Sequence, residues 1–91
     1  MRSEKIIGVI GSGSCDESVS EMAREIGRGI AQAGYALVCG GLGGVMEAAC
    51  RGAAEMGGLT IGILPGESVE SANRHVRVPI ATGLGIARNV I

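Results

Sequence analysis

The sequence predicts an α/β fold built on a parallel sheet, and three observations carry that prediction. Short apolar runs alternate with helix-length amphipathic segments, in the order strand, helix, strand, helix, strand, loop, strand. Glycine clusters stand directly after the apolar runs, where strands must turn. The core has to be aliphatic, because Tyr35 is the only Phe, Trp or Tyr among 91 residues.

Each element has its own signal. Lys5 to Ile10 reads as a buried first strand, apolar on both faces, and breaks at Gly11-Ser12-Gly13-Ser14. Asp16 to Ala33 reads as an amphipathic helix, with Val19, Met22, Ala23, Ile26, Ile30 and Ala33 along one stripe. Ser14 with Glu17, or Ser18 with Glu21, offers a capping box at its start, and Gly34 a C-terminal cap. Tyr35 to Cys39 is the second strand. The second helix runs from about Gly43 to Met56. Its small-residue face is Val45, Ala49, Gly52, Ala53 and Met56, and Glu47, Arg51 and Glu55 form an i, i+4 ladder opposite. Leu59 to Leu64 is the third strand, stopped by Pro65-Gly66.

Residues 67–77 read as a polar surface loop or lid. Val78 to Thr82 is a fourth strand at a sheet edge, since Pro79 has no N–H to give a ladder. Residues 86–91 look like the opening of a further helix. With right-handed crossovers, this order predicts a three-layer, Rossmann-like parallel sheet with helices on both faces. Residues 1–91 would form one partial domain, ending after about four strands.

Composition removes several function classes. A net charge of −1 and the lack of a basic stripe argue against nucleic acid as the partner. The shortage of aromatics argues against single-strand binding by base stacking. No apolar run has the length of a membrane span, and no signal-peptide pattern opens the chain, so a cytoplasmic location is expected. Cys15, Cys39 and Cys50 are odd in number and lack zinc spacing, so they read as reduced, with Cys15 the one in a loop. No metal site is expected.

The chemistry concentrates in Gly40-Gly41-Leu42-Gly43-Gly44-Val45-Met46-Glu47, which follows the second strand directly. First-turn N–H groups of a helix have no helical acceptor, and the helix dipole adds partial positive charge there. Glycine lets a phosphate approach the backbone. A dinucleotide fingerprint is incomplete: Gly11 and Gly13 are present, but Asp16 stands where the third glycine belongs. Asp16 and Glu17 would repel a pyrophosphate in the first loop, so the second loop is the better phosphate seat. No Walker pattern follows any loop.

These segments resemble a known family. Ile7-Gly8-Val9-Ile10-Gly11-Ser12-Gly13, the run Val38 to Ala48, Gly62-Ile63-Leu64-Pro65-Gly66 and Ala87-Arg88-Asn89 look like the Rossmann-like Lonely Guy/lysine-decarboxylase-like superfamily. The nearest branch is that of bacterial molybdenum-cofactor carrier-like proteins. The resemblance implies homo-oligomers and a phosphorylated small ligand, either a nucleoside monophosphate or the molybdenum cofactor, a phosphorylated pterin. It implies no decarboxylation. The family's Pro-Gly-Gly-x-Gly-Thr-x-x-Glu signature is absent, and it would follow Ile91, so the chain reads as an N-terminal half. Asn89 replaces the lysine usual in hydrolase members, which favours the carrier branch.

The ligand-binding candidates are therefore Gly11, Ser12, Gly13, Gly40, Gly41, Gly43, Gly44, Val45, Met46, Pro65, Gly66 and Arg88, the last as a bidentate phosphate anchor. No catalytic residue is assigned. Two alternatives stand beside binding. One is a phosphoribohydrolase of nucleoside 5′-monophosphates whose catalytic Glu motif is missing from the chain. The other is a non-catalytic oligomerising fragment.

Overall fold

The computed structural model of the protein describes residues 5–66 and 68–83. Six elements follow one another: β1 (Ile6–Val9), α1 (Glu17–Gln32), β2 (Ala36–Cys39), α2 (Val45–Glu55), β3 (Thr60–Leu64) and β4 (Val78–Ala81). The strands form one parallel sheet in the order β1-β2-β3-β4. The fold is thus α/β and Rossmann-like, as the sequence predicts. Among the described residues, β4 has β3 as its one neighbour, the edge position expected from Pro79. No helix of the described residues is long and apolar enough to cross a membrane.

A sheet that adds each strand on the same side, through right-handed crossovers, carries its helices on one face. Both α1 and α2 pack there, over Leu37 and Cys39 of β2. The sequence also predicts helices on the other face; residues 86–91, expected to open one, lie outside the described residues. That other face carries Ile6, Ile10 and Ile80, which are exposed. Among the described residues the first strand is not buried on both sides as expected: Ile6 is 58% exposed and Gly8 is open, because β1 has β2 as its one described neighbour and no described layer beneath it.

The helix pair is held at very short range by glycine. A Cβ added at Gly27 of α1 would overlap the Ala49 carbonyl of α2, and one at Gly52 would overlap the Arg24 carbonyl of α1. This contact reassigns the apolar stripe of α1. The buried residues are Ala23, Gly27 and Ile30, while Val19, Met22 and Ile26 face outward. Small side chains let the backbones approach, so the helix turns its small face inward and leaves its larger residues outside. On α2 the small face is largely where the sequence puts it, with Ala49, Gly52 and Ala53 buried, but Met56 is exposed.

Neither expected capping box forms at α1. Asp16 is the N-cap, and its carboxylate accepts from the Val19 N–H at 2.9 Å and from the Ser18 hydroxyl at 3.2 Å. The Val19 bond, followed by the Ser18 bond, holds the Asp16 carboxyl below its ordinary range. The ladder on α2 is half realised. Arg51 pairs with Glu55 at 3.6 Å, but Glu47 makes no ion pair among the described residues. Glu55 is instead taken chiefly by Arg24 of α1, whose Nε donates at 3.0 Å while Nη2 reaches the other oxygen. That bond lowers the Glu55 pKa.

A pH dependence follows. Both carboxyls ionise more readily folded than unfolded, so their contributions are present above the ordinary carboxylate pKa. They are lost as pH falls through the lower folded values. Stability should be flat from neutral pH to about 5 and fall below about 4. Urea midpoints across that range check this. In Arg24→Ala the fall should be shallower, because Glu55 then titrates near its ordinary value.

Candidate functional site

The carboxyl ends of the four strands lie along one edge of the sheet, which is where parallel α/β sheets bind ligands. Two loops meet there. The loop after β1 donates nothing to α2 but accepts from it: the Ser12 carbonyl takes the Val45 N–H at 3.0 Å. Gly11 lies flat under Val45, where a Cβ would come within 2.5 Å of Cγ1. Gly44, the N-cap of α2, has φ +66° and ψ −130°, a conformation that glycine adopts without strain. A Cβ at Gly44 would overlap Ser12 and Gly13 of the neighbouring loop. Gly41, at φ +80°, would place one 2.6 Å from Leu64 Cδ2. Glycines here serve two close backbone approaches as well as the turn itself.

The two helix starts differ in what they leave open. At α1, the Asp16 carboxylate occupies the N-terminus and Glu17 adds a second acid. At α2, no side chain caps the N-terminus. Val45 N–H is spent on Ser12, but the amides of Met46 and Glu47 belong to a first turn that has no helical acceptor for them. The first helix start carries two acids, Asp16 and Glu17, and the second carries one, Glu47, with its first-turn amides uncapped by a side chain.

A cleft of about 170 Å³ opens beside this loop, walled by Gly8, Gly11, Val38, Gly40, Met46 and Ile63 among others. Small-molecule sites usually exceed about 300 Å³, so this cleft by itself is smaller than a typical one. The structure brings Gly11, Ser12, Gly13, Gly40, Gly41, Gly43, Gly44, Val45 and Met46 together at this corner. Pro65 and Gly66 stand apart, at the end of β3, where the Gly66 carbonyl accepts from Gly83 at 2.7 Å. Arg88 lies outside the described residues. Among the described residues no cluster of three or more His, Cys, Asp or Glu could hold a metal.

The segment between β3 and β4 is not the free surface loop expected. Val76 packs on the core, and the Thr60 hydroxyl donates to the His75 carbonyl at 2.7 Å. Asn73 grips the glycine loop. Its backbone N–H donates to Gly41 O at 2.7 Å, its Nδ2 donates to Leu42 O at 2.8 Å, and its Oδ1 accepts from His75 N–H at 2.9 Å. Only an amide side chain offers a donor and an acceptor in that arrangement. Nothing local in the sequence ties Asn73 to the glycine loop, because Leu42 is 31 residues away. Asn73→Ala should cost about 1–3 kcal/mol in urea unfolding, since it strands the Leu42 carbonyl and the His75 amide. Asn73→Asp should not restore the Leu42 bond, because it lacks the donor.

Solved structures and sequences place this arrangement among known proteins. The molybdenum cofactor binding protein of Rippkaea orientalis superposes with a TM-score of 0.92 at 42% identity, covering 98% of this chain and 56% of that one. A Moco carrier protein of Chlamydomonas reinhardtii gives 0.85 at 46% identity, with coverages of 98% and 56%. An uncharacterized protein of Archaeoglobus fulgidus is 49% identical over 85 residues, 93% of this chain and 56% of that protein. The chain thus spans about half the length of the relatives it matches. The SLOG cluster4 family profile matches residues 4–91. With that match and those identities, the chain belongs to the SLOG cluster4 family.

Proposed function

We propose that the chain forms one wall of a binding site for a phosphorylated small molecule, of the cofactor-carrier type. The phosphate would sit at the N-terminus of α2 and the glycine loops around it. One observation carries this reading: α1 closes its own N-terminus with Asp16, whereas α2 leaves its first turn open and lined by glycine. The relatives support the ligand class, since two of them are described as binding or carrying the molybdenum cofactor. A nucleoside monophosphate presents the same phosphate chemistry.

Calorimetry with AMP, a nucleotide sugar and a phosphorylated pterin tests the proposal. At least one should bind, and AMP should bind about tenfold or more tightly than adenosine, about 1.4 kcal/mol of phosphate recognition. No heat from any of them sinks the reading. Free base should not be released from AMP. Hydrolysis needs a carboxylate beside the reacting carbon, and Glu47 is the one acid in the first turn of α2. Self-association also belongs to this proposal, because Met22 and Ile26 leave an apolar strip outside on α1. A monomer mass by light scattering would count against that part.

A further inference from the structure

Two of the three cysteines meet directly beneath the glycine loop. Cys39 ends β2, Cys50 lies in the second turn of α2, and their sulfurs are 3.4 Å apart. Both are reduced in this structure and buried in the core. They are 11 residues apart in sequence, and the loop 40–44 is the chain that joins them. Cys39 differs from its partner in two ways. Its sulfur accepts the Gly41 N–H at 3.3 Å, and it borders the cleft at the sheet edge. Cys50 has no exposed surface, and its hydrogen bond to Cys39, then burial, keeps it protonated.

We propose that Cys39 and Cys50 are a peroxide-oxidisable pair whose disulfide reshapes the phosphate loop. The functional consequence rests on the binding reading above; the disulfide itself does not. Cys39, as the thiolate, attacks one oxygen of a hydroperoxide. The S–O bond forms, the O–O bond breaks, and the other oxygen leaves as hydroxide, which takes up a proton. The Cys50 sulfur then displaces hydroxide from Cys39, forming S–S and breaking S–O, and its proton leaves with that hydroxide as water. The sulfur pair loses two electrons and the peroxide gains them. A dithiol reverses the change by exchange.

Closing the bond shortens the sulfur separation from 3.4 Å to about 2.05 Å, so the two side chains, and the strand end and helix that carry them, must readjust. The loop has no slack to absorb this. There is no room even for a Cβ between Gly44 and the Ser12–Gly13 backbone or between Gly41 and Leu64, and the Gly41 N–H is bonded to the Cys39 sulfur. The shift therefore falls on the residues that present the α2 amides.

The test uses the full chain carrying Cys15→Ser, so that the third thiol is silent, treated with one equivalent of hydrogen peroxide. Peptide mapping should find Cys39 joined to Cys50 and released by dithiothreitol. Hydrogen exchange across residues 40–47 should quicken by about tenfold on oxidation and recover on reduction. Cys50→Ala should instead stop at sulfenic acid on Cys39, trapped by a dimedone reagent. Absence of the 39–50 bond, or a bond that leaves exchange at 40–47 unchanged, overturns the proposal. AMP titration of the reduced and oxidised forms is read separately. If the reduced protein ignores AMP, the binding reading fails, while mass and exchange still decide the disulfide.

Discussion

Gly44→Ala is expected to destabilise the chain by about 2–4 kcal/mol and, on the binding site proposed above, to abolish binding of whichever phosphorylated probe the parent takes. Two independent costs add at this residue. Its φ of +66° with ψ −130° is strained for any residue with a side chain. Its missing Cβ is also the space occupied by Ser12 and Gly13 of the adjoining loop, both backbone atoms that cannot rotate away. The substitution must push the two loops apart, break the Val45 N–H bond to Ser12, and swing the first turn of α2. Urea unfolding measures the first effect and calorimetry the second. Gly13→Ala is the matched control: nothing stands within 4 Å of its Cβ, so stability should change little. Equal stability for Gly44→Ala and the parent would show that the two loops are not in contact.

The second large effect falls on the helix pair. Gly27→Ala and Gly52→Ala should each cost about 3 kcal/mol or more, because each new methyl meets a backbone carbonyl of the other helix. A domain this small has a total stability of about 5–10 kcal/mol, so either change should remove roughly 30–60% of it and lower the thermal midpoint by about 12–24 °C. Gly29→Ala is the internal contrast. It lies two residues along the same helix, exposed, with nothing near its Cβ, and should stabilise by about 0.5–1 kcal/mol through helix propensity alone. Thermal denaturation by circular dichroism separates the three. A mild effect at both Gly27 and Gly52 would mean that the helices are not in close contact.

Much of this architecture is legible without coordinates. Alternation of apolar runs with amphipathic segments reports period, and period is a local property of the chain. All four strands and both helices fall within about two residues of their expected limits. The edge position of β4 follows from Pro79, whose missing N–H is local too. The preference for the second loop over the first came from the charges of Asp16 and Glu17, and Asp16 does occupy the first helix start.

What the sequence alone could not determine depends on distances between segments far apart in the chain. The apolar stripe read from the sequence contains Ala23 and Ile30, which are buried, but hydrophobicity also puts Val19, Met22 and Ile26 on it and leaves Gly27 out. The tertiary structure chose Ala23, Gly27 and Ile30, since backbone contact with α2 rewards small residues over large ones. Arg24 reaches Glu55, 31 residues away, a pairing that no local spacing announces. Asn73 looked like one polar residue among several, and only folding carried it to the carbonyls of Gly41 and Leu42. Cys39 and Cys50 carried no spacing signal, yet a strand followed by a helix that packs back onto it brings their sulfurs together. Local chemistry determined the elements and the open helix start. Packing decided which side chains hold that start in place, because only packing turns separation in sequence into contact in space.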